Sequence, residues 1–175
     1  DARPGNVVLL GTILLGTALL DFGHMLGYRG MPDFITPASP QKAIVFWFAA
    51  RYLVAVGLLA AALRPWQPML DARTRYWLLA GVLAYVAAVY GLELLAPGYL
   101  PAFYIAGSGL TALKVALEYG LVAIYALAAV GFYRHARQGA AFNADDLLAA
   151  AGVAVLSELC FTRYVSVSDI YNFIG

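Results

Sequence analysis

Apolar residues run along the chain in five long blocks, separated by short stretches rich in proline, glycine and charge. A helix needs roughly 20 mostly apolar residues to cross about 30 Å of hydrocarbon. The blocks predict spanning helices over residues 6–26, 41–63, 75–95, 110–133 and 145–161. The first is too long for a signal-peptide core, and no small-residue cleavage site follows it. Prolines mark the gaps: Pro32, Pro37 and Pro40 after the first helix, Pro65 and Pro68 after the second, Pro97 and Pro101 after the third. Proline lacks the N–H that a helix interior needs. Asn143 followed by Asp145 and Asp146 reads as an N-cap with acids in the first turn. Arg134, His135 and Arg137 close the fourth helix at its negative dipole end. The pattern predicts an all-α, polytopic transmembrane helical bundle forming one domain over residues 1–175.

Composition narrows the class. The 175 residues are 63% hydrophobic and 12% charged, against about 25% charged in soluble domains. This excludes a disordered tail, a nucleic-acid binder with a basic surface, and an ordinary soluble enzyme. The net charge of +1 points to no charged partner, and one cysteine makes no internal disulfide.

Loop charges predict orientation. The connection 64–75 carries Arg64, Arg73 and Arg75 against Asp71, and the one after the fourth helix carries Arg134 and Arg137. The stretch 96–109 has no charge. The second and fourth connections are therefore expected in the cytoplasm, with the N-terminus and Arg3, and the chain end outside. Arg29 and Lys42 on the first outer connection violate the rule mildly. Trp66, Tyr76 and Trp77 are expected in an inner aromatic belt, and Tyr99, Phe103 and Tyr104 in an outer one.

Ionisable groups within a membrane are costly, so each is a functional candidate. The first helix supplies Asp21 and His24, with Tyr28 just beyond; their i, i+3, i+7 spacing is one helical face. The second supplies Trp47 and Arg51 at i, i+4, the third Glu93, the fourth Lys114 and Glu118 at i, i+4, the fifth Glu158. Arg163 follows. With alternating helix directions these groups are expected at one depth, in the outer half of the bilayer. Lys114 and Glu118 are expected to pair along their helix. Arg51 needs a carboxylate, expected to be Glu118 or Glu158. Glu93 and Arg163 are expected to snorkel to the interface. Trp47 reads as packing rather than a stacking platform. The layer reads either as a ligand or ion pocket or as a network that locks helix register.

Other chemistry is weaker. His24 and His135 lie at opposite faces, about 30 Å apart, and cannot share a haem. His24 with Met25 or Met31 is a weak soft-metal candidate; a hydrogen bond to Asp21 or Glu158 fits this histidine better. Cys160 reads as an inert packed thiol. No nucleophile–base–orienter set, Walker motif or pair of matched broken helices appears. Neither catalysis nor a cofactor is expected in this chain.

Three segments carry a resemblance: DFGHMLGYRGMPDF at 21–34, FWFAARYLVAVGLL at 46–59 and YVSVSDIYNFIG at 164–175. Together they resemble the bacterial membrane-associated sensor domain of the third MASE subtype. That family shows H-x-x-x-Y-x-G-M, here His24, Tyr28, Gly30 and Met31. It shows W-x-x-x-R, here Trp47 and Arg51. It also shows an aromatic V-S-x-x-D-x-Y-N-x-x-G stretch, here with Asp169, Tyr171, Asn172 and Gly175. The resemblance covers the whole chain in order. It implies the N-terminal input module of sensor histidine kinases and diguanylate cyclases, working as dimers in the bacterial inner membrane. It also implies continuation past Gly175, through a Gly-His and a basic-aromatic stretch into another helix. The chain is thus expected to be a piece lacking at least one helix.

The expected function is sensory input. A small ligand, ion or proton enters a polar pocket formed by Asp21, His24, Tyr28, Trp47, Arg51, Lys114, Glu118 and Glu158, with Asp169 and Asn172 from the last motif. A cytoplasmic kinase or cyclase reads the change, in a two-component or related signalling system. The alternative is a small membrane carrier or channel subunit using the same layer as an ion path.

Overall fold

The computed structural model describes residues 4–28, 30–67, 73–105, 108–140, 142–163 and 170. Five α-helices dominate it: α1 (Gly5–Gly27), α2 (Pro40–Leu63), α3 (Thr74–Leu95), α4 (Ala112–Arg137) and α5 (Ala144–Phe161). Two short strands, β1 (Tyr104–Ile105) and β2 (Gly109–Leu110), pair antiparallel before α4. The helices follow the apolar blocks, because every backbone group in hydrocarbon must be satisfied within its own segment.

Four helices, α1 to α4, are long and apolar enough to cross a membrane. The fifth expected span is a helix of 18 residues that includes Asp145, Asp146 and Glu158, so it lacks the uninterrupted apolar length of the others. The chain is a multi-pass helical membrane protein.

The ends of the elements have local causes. Ser39 Oγ accepts from the Lys42 N–H at 3.2 Å, and Pro40 stands first in α2, where its missing N–H costs nothing. Thr111 caps α4 by accepting from the Lys114 N–H. The cap and the β1–β2 ladder start α4 two residues later than expected. Its basic last turn carries it on to Arg137. Gly139 then adopts φ +68°, and the N–H groups of Gly139 and Ala140 bond the carbonyls of Ala136 and His135. This is a Schellman ending, which favours glycine at that position. The expected Asn143 cap takes another form. Its amide donates to the Asp146 carboxylate at 2.8 Å and makes no backbone cap bond.

The described residues form two compact units. The first comprises Asp1–Gly57 and Trp66–Phe103. Its core is Leu20, Phe46, Ala50 and Val86, with Leu53, Val89 and Tyr90 packed around them. Lipid supplies no hydrophobic drive between helices, so small residues that allow close backbone approach take over. A Cβ on Gly27 would lie 2.9 Å from the Ala43 nitrogen. One on Gly23 would lie 2.8 Å from the Phe46 ring and the Tyr90 hydroxyl. One on Gly57 would meet Ile13. Tyr90 donates to the Leu19 carbonyl at 2.7 Å, and Tyr85 to that of Ala49 at 3.0 Å. Gln41 holds the segment after α3, donating to the Pro101 carbonyl and accepting from the Phe103 N–H. Phe103 is thereby buried against Phe48, with ring centroids 5.2 Å apart, and is not a belt residue. Tyr76, Trp77 and Tyr99 are exposed.

The second unit comprises Leu58–Pro65 and Tyr104–Gly175. The buried face of α4 is Lys114, Glu118, Leu121, Tyr125, Ala128 and Phe132, a stripe of alternating four- and three-residue steps. Ala144, Ala151 and Glu158 recur every seven residues along the buried side of α5. Gly131 lies against Ala62, and a His135 ring nitrogen bonds the Ala62 carbonyl at 3.0 Å.

Candidate functional site

Each unit carries a polar cluster. In the first unit His24 reaches from the last turn of α1 to α2, where its Nδ1 lies 2.7 Å from the Ala43 carbonyl oxygen. A carbonyl only accepts, so Nδ1 carries the proton and Nε2 is the acceptor of the neutral ring. Tyr28 has left the helix as its C-cap, yet it sets its ring edge-on to His24 at 5.2 Å. Asp21 lies one turn before His24. Its carboxylate and the Arg51 guanidinium are 4.0 Å apart, with side chains 40% and 37% exposed. Both charges act on the His24 ring. The guanidinium sits 5.9 Å from the Trp47 ring centroid. This arrangement presents a planar cationic fork, an imidazole acceptor and a phenol around a partly open carboxylate.

Thus the structure brings together five expected site residues, Asp21, His24, Tyr28, Trp47 and Arg51. The carboxylate it gives Arg51 within this unit is Asp21, whereas the expected partner was Glu118 or Glu158. Spacing along one helix does not show which helix lies beside it.

The same unit holds two charged residues that the sequence reading misplaced. Lys42, expected on an outer loop, is 1% exposed and donates to the carbonyls of Phe34 and Thr36 at 2.8 and 2.9 Å. Between those carbonyls Ile35 adopts φ +63°, a conformation unfavourable for a β-branched residue. The ammonium thus gathers the two carbonyls that this turn directs inward. Glu93, expected to snorkel, is buried, and Lys42 is the charge acting on it. One Glu93 oxygen, Oε2, has no hydrogen-bond partner among the described residues. The signal for Lys42 in the sequence was its mild violation of the positive-inside pattern in the expected orientation, which marks a lysine with another use.

In the second unit Lys114 pairs with Glu118, as the i, i+4 spacing predicts, and also donates to the Phe161 carbonyl at 3.0 Å. Glu158 of α5 lies within Coulombic reach of both. All three are sealed, at 0%, 0% and 2% exposure. Arg163 is exposed. Asp169 and Asn172 lie outside the described residues. Among the described residues no three His, Cys, Asp or Glu side chains gather as a metal site.

Four helices long and apolar enough to cross a membrane, with buried ionisable groups within each unit, define a polytopic membrane protein. The family description of a membrane-associated sensor domain, MASE3, matches residues 1–175. The chain therefore belongs to the MASE3 family of membrane-associated sensor domains, and its role is membrane sensory input. No curated protein matches the chain. No solved structure matches it either.

Proposed function

We propose that this domain receives a small ligand at the Asp21–His24–Tyr28–Trp47–Arg51 cluster and passes the signal to a cytoplasmic histidine kinase or diguanylate cyclase. The observation that carries this is the Arg51–Asp21 contact. It is loose at 4.0 Å and more than one-third exposed, in contrast to the sealed pair Lys114–Glu118. An anionic group on a ligand competes with Asp21 for the guanidinium fork. His24 Nε2 accepts from a donor on the same ligand. Because Asp21 is on α1 and Arg51 on α2, exchanging one partner for another alters the contact between these helices. The ligand shifts the equilibrium by its differential affinity for the two arrangements. The chain itself performs no chemistry.

The loop charges support a bacterial inner-membrane location with the N-terminus in the cytoplasm. The output modules work as dimers, so the full protein signals as a homodimer in the bilayer.

The test is output activity of the full-length protein in lipid, against a panel of metabolites, metals and pH values, with His24→Ala and Arg51→Ala alongside. A cue that acts on the parent and is lost in folded variants supports the reading. Cue-driven output unchanged in both variants overturns the site. Uptake into vesicles by this chain alone overturns the sensor reading in favour of a carrier.

A further inference from the structure

We propose that the turn Phe34–Ile35–Thr36, in the connection between α1 and α2, is a lipid-contact site that places the Ile35 side chain in the bilayer, where headgroups meet acyl chains. The proposal concerns this connection and stands apart from the ligand reading above.

The turn is the first ground. The Thr36 N–H bonds the Phe34 carbonyl at 2.7 Å, and Ile35 between them has φ +63°. An i, i+2 bond around a positive-φ residue is the rare, strained form of the γ-turn. A β-branched side chain adds to the strain, which glycine or asparagine would relieve. Strained backbone persists only where its surroundings hold it, and it concentrates at functional positions. Here the Lys42 ammonium holds it, 2.8 Å from the Phe34 carbonyl oxygen and 2.9 Å from that of Thr36. Lys42 is 1% exposed, so both carbonyls are drawn inward, while the Ile35 side chain is left outside at 70% exposure. A buried lysine thus secures a turn whose apex offers only apolar surface.

Depth is the second ground, and it says what covers that surface. Residues 43–63, between Lys42 and Arg64, carry Arg51 as their one charge. At helical rise they cover about 30 Å, as much as the hydrocarbon core of a bilayer. Lys42 therefore stands at the edge of that core. Helical side chains lean toward the N-terminus, so the ammonium and the turn bound to it lie just outside the core, at the headgroup level. An apolar side chain held outward at this depth is stabilised by entering the acyl boundary. Lipid is the apolar medium that the position itself supplies. The turn also has a direct neighbour in the α1–α2 contact: the residue after Lys42 is Ala43, whose carbonyl bonds His24.

The test uses the full chain, deuterated except for 13C-labelled isoleucine δ1 methyl groups, in phosphatidylcholine–phosphatidylglycerol nanodiscs. The Ile35 signal is the one missing from Ile35→Val, which keeps a β-branched side chain in the turn. If that variant fails to fold, Ile35→Leu gives the same assignment, and the measurement itself is made on the parent. Nuclear Overhauser contacts from this methyl are recorded to lipid and to water protons. The expected result is a cross-peak to the acyl methylene protons that vanishes when the lipid chains are deuterated. A methyl that contacts water and no acyl protons overturns the proposal. So does one that contacts neither, because protein, from this chain or a second copy, would then cover Ile35.

Discussion

His24 of α1 hydrogen-bonds the Ala43 carbonyl of α2 over 2.7 Å, three residues before Gly27 brings the α1 backbone against the same Ala43. One residue of α2 thus meets both a polar and a steric contact from α1. Interhelical hydrogen bonds in membranes contribute about 0.6 kcal/mol on average. His24→Ala is therefore expected to lower stability only by about 1 kcal/mol, measured by thermal unfolding in detergent, while removing the cue response. A large loss of stability would mean that the residue is chiefly structural.

Gly27→Ala tests the close approach. The new Cβ would lie 2.9 Å from the backbone nitrogen and 3.0 Å from the Cα of Ala43, neither of which yields like a side chain. Overpacking of this kind costs about 1–3 kcal/mol. Gly11→Ala is the control, because nothing lies within 4 Å of its Cβ. It should be neutral or raise the melting temperature, since alanine favours helix by up to about 1 kcal/mol.

Arg51→Gln should separate signalling from folding. The pair with Asp21 is 4.0 Å long and more than one-third exposed, so its stabilising effect is discounted to below about 1 kcal/mol. The variant is expected to melt near the parent and to lose cue-dependent output. Arg51→Lys should restore only part of the response, because an ammonium lacks the planar fork.

Lys42→Met should loosen the connection between α1 and α2. Two carbonyls flanking Ile35 lose their donor, and Glu93 loses the charge facing it. Hydrogen–deuterium exchange of residues 30–39 should rise and a protease should cut there faster. Unchanged exchange would mean that the turn holds without the ammonium.

Lys114→Met should be the most damaging of these single changes to fold stability. Removing one partner of a buried pair costs about 3–5 kcal/mol. Lys114→Met combined with Glu118→Leu should recover much of that, because the uncompensated carboxylate goes with its partner. A double-mutant cycle read by thermal unfolding gives the coupling.

Much of the fold was legible from local pattern. Helix positions followed from apolar length and proline punctuation, and Lys114–Glu118 from a four-residue spacing within one helix. The late start of α4 was not legible, because the Gly109–Leu110 pairing with Tyr104–Ile105 competes with helix extension. Phe103 looked like a belt aromatic, but Gln41, far away in sequence, binds its backbone and folds it under Phe48. Glu93 looked close enough to the interface to snorkel. The placement of Lys42 depends on the path of residues 30–39, which hydropathy does not describe.

The sequence by itself determined that the chain crosses a membrane, where its helices lie, and which side chains are too costly to leave unsatisfied. Those properties follow from each segment's own exchange between water and hydrocarbon. Tertiary structure decided the partners: Asp21 for Arg51, Ala43 for His24, Glu158 beside Lys114 and Glu118. Helix neighbours are chosen by non-local contacts at small residues such as Gly23 and Gly27. A lipid-facing and a protein-facing helix surface are equally apolar, so periodicity in the sequence does not distinguish them.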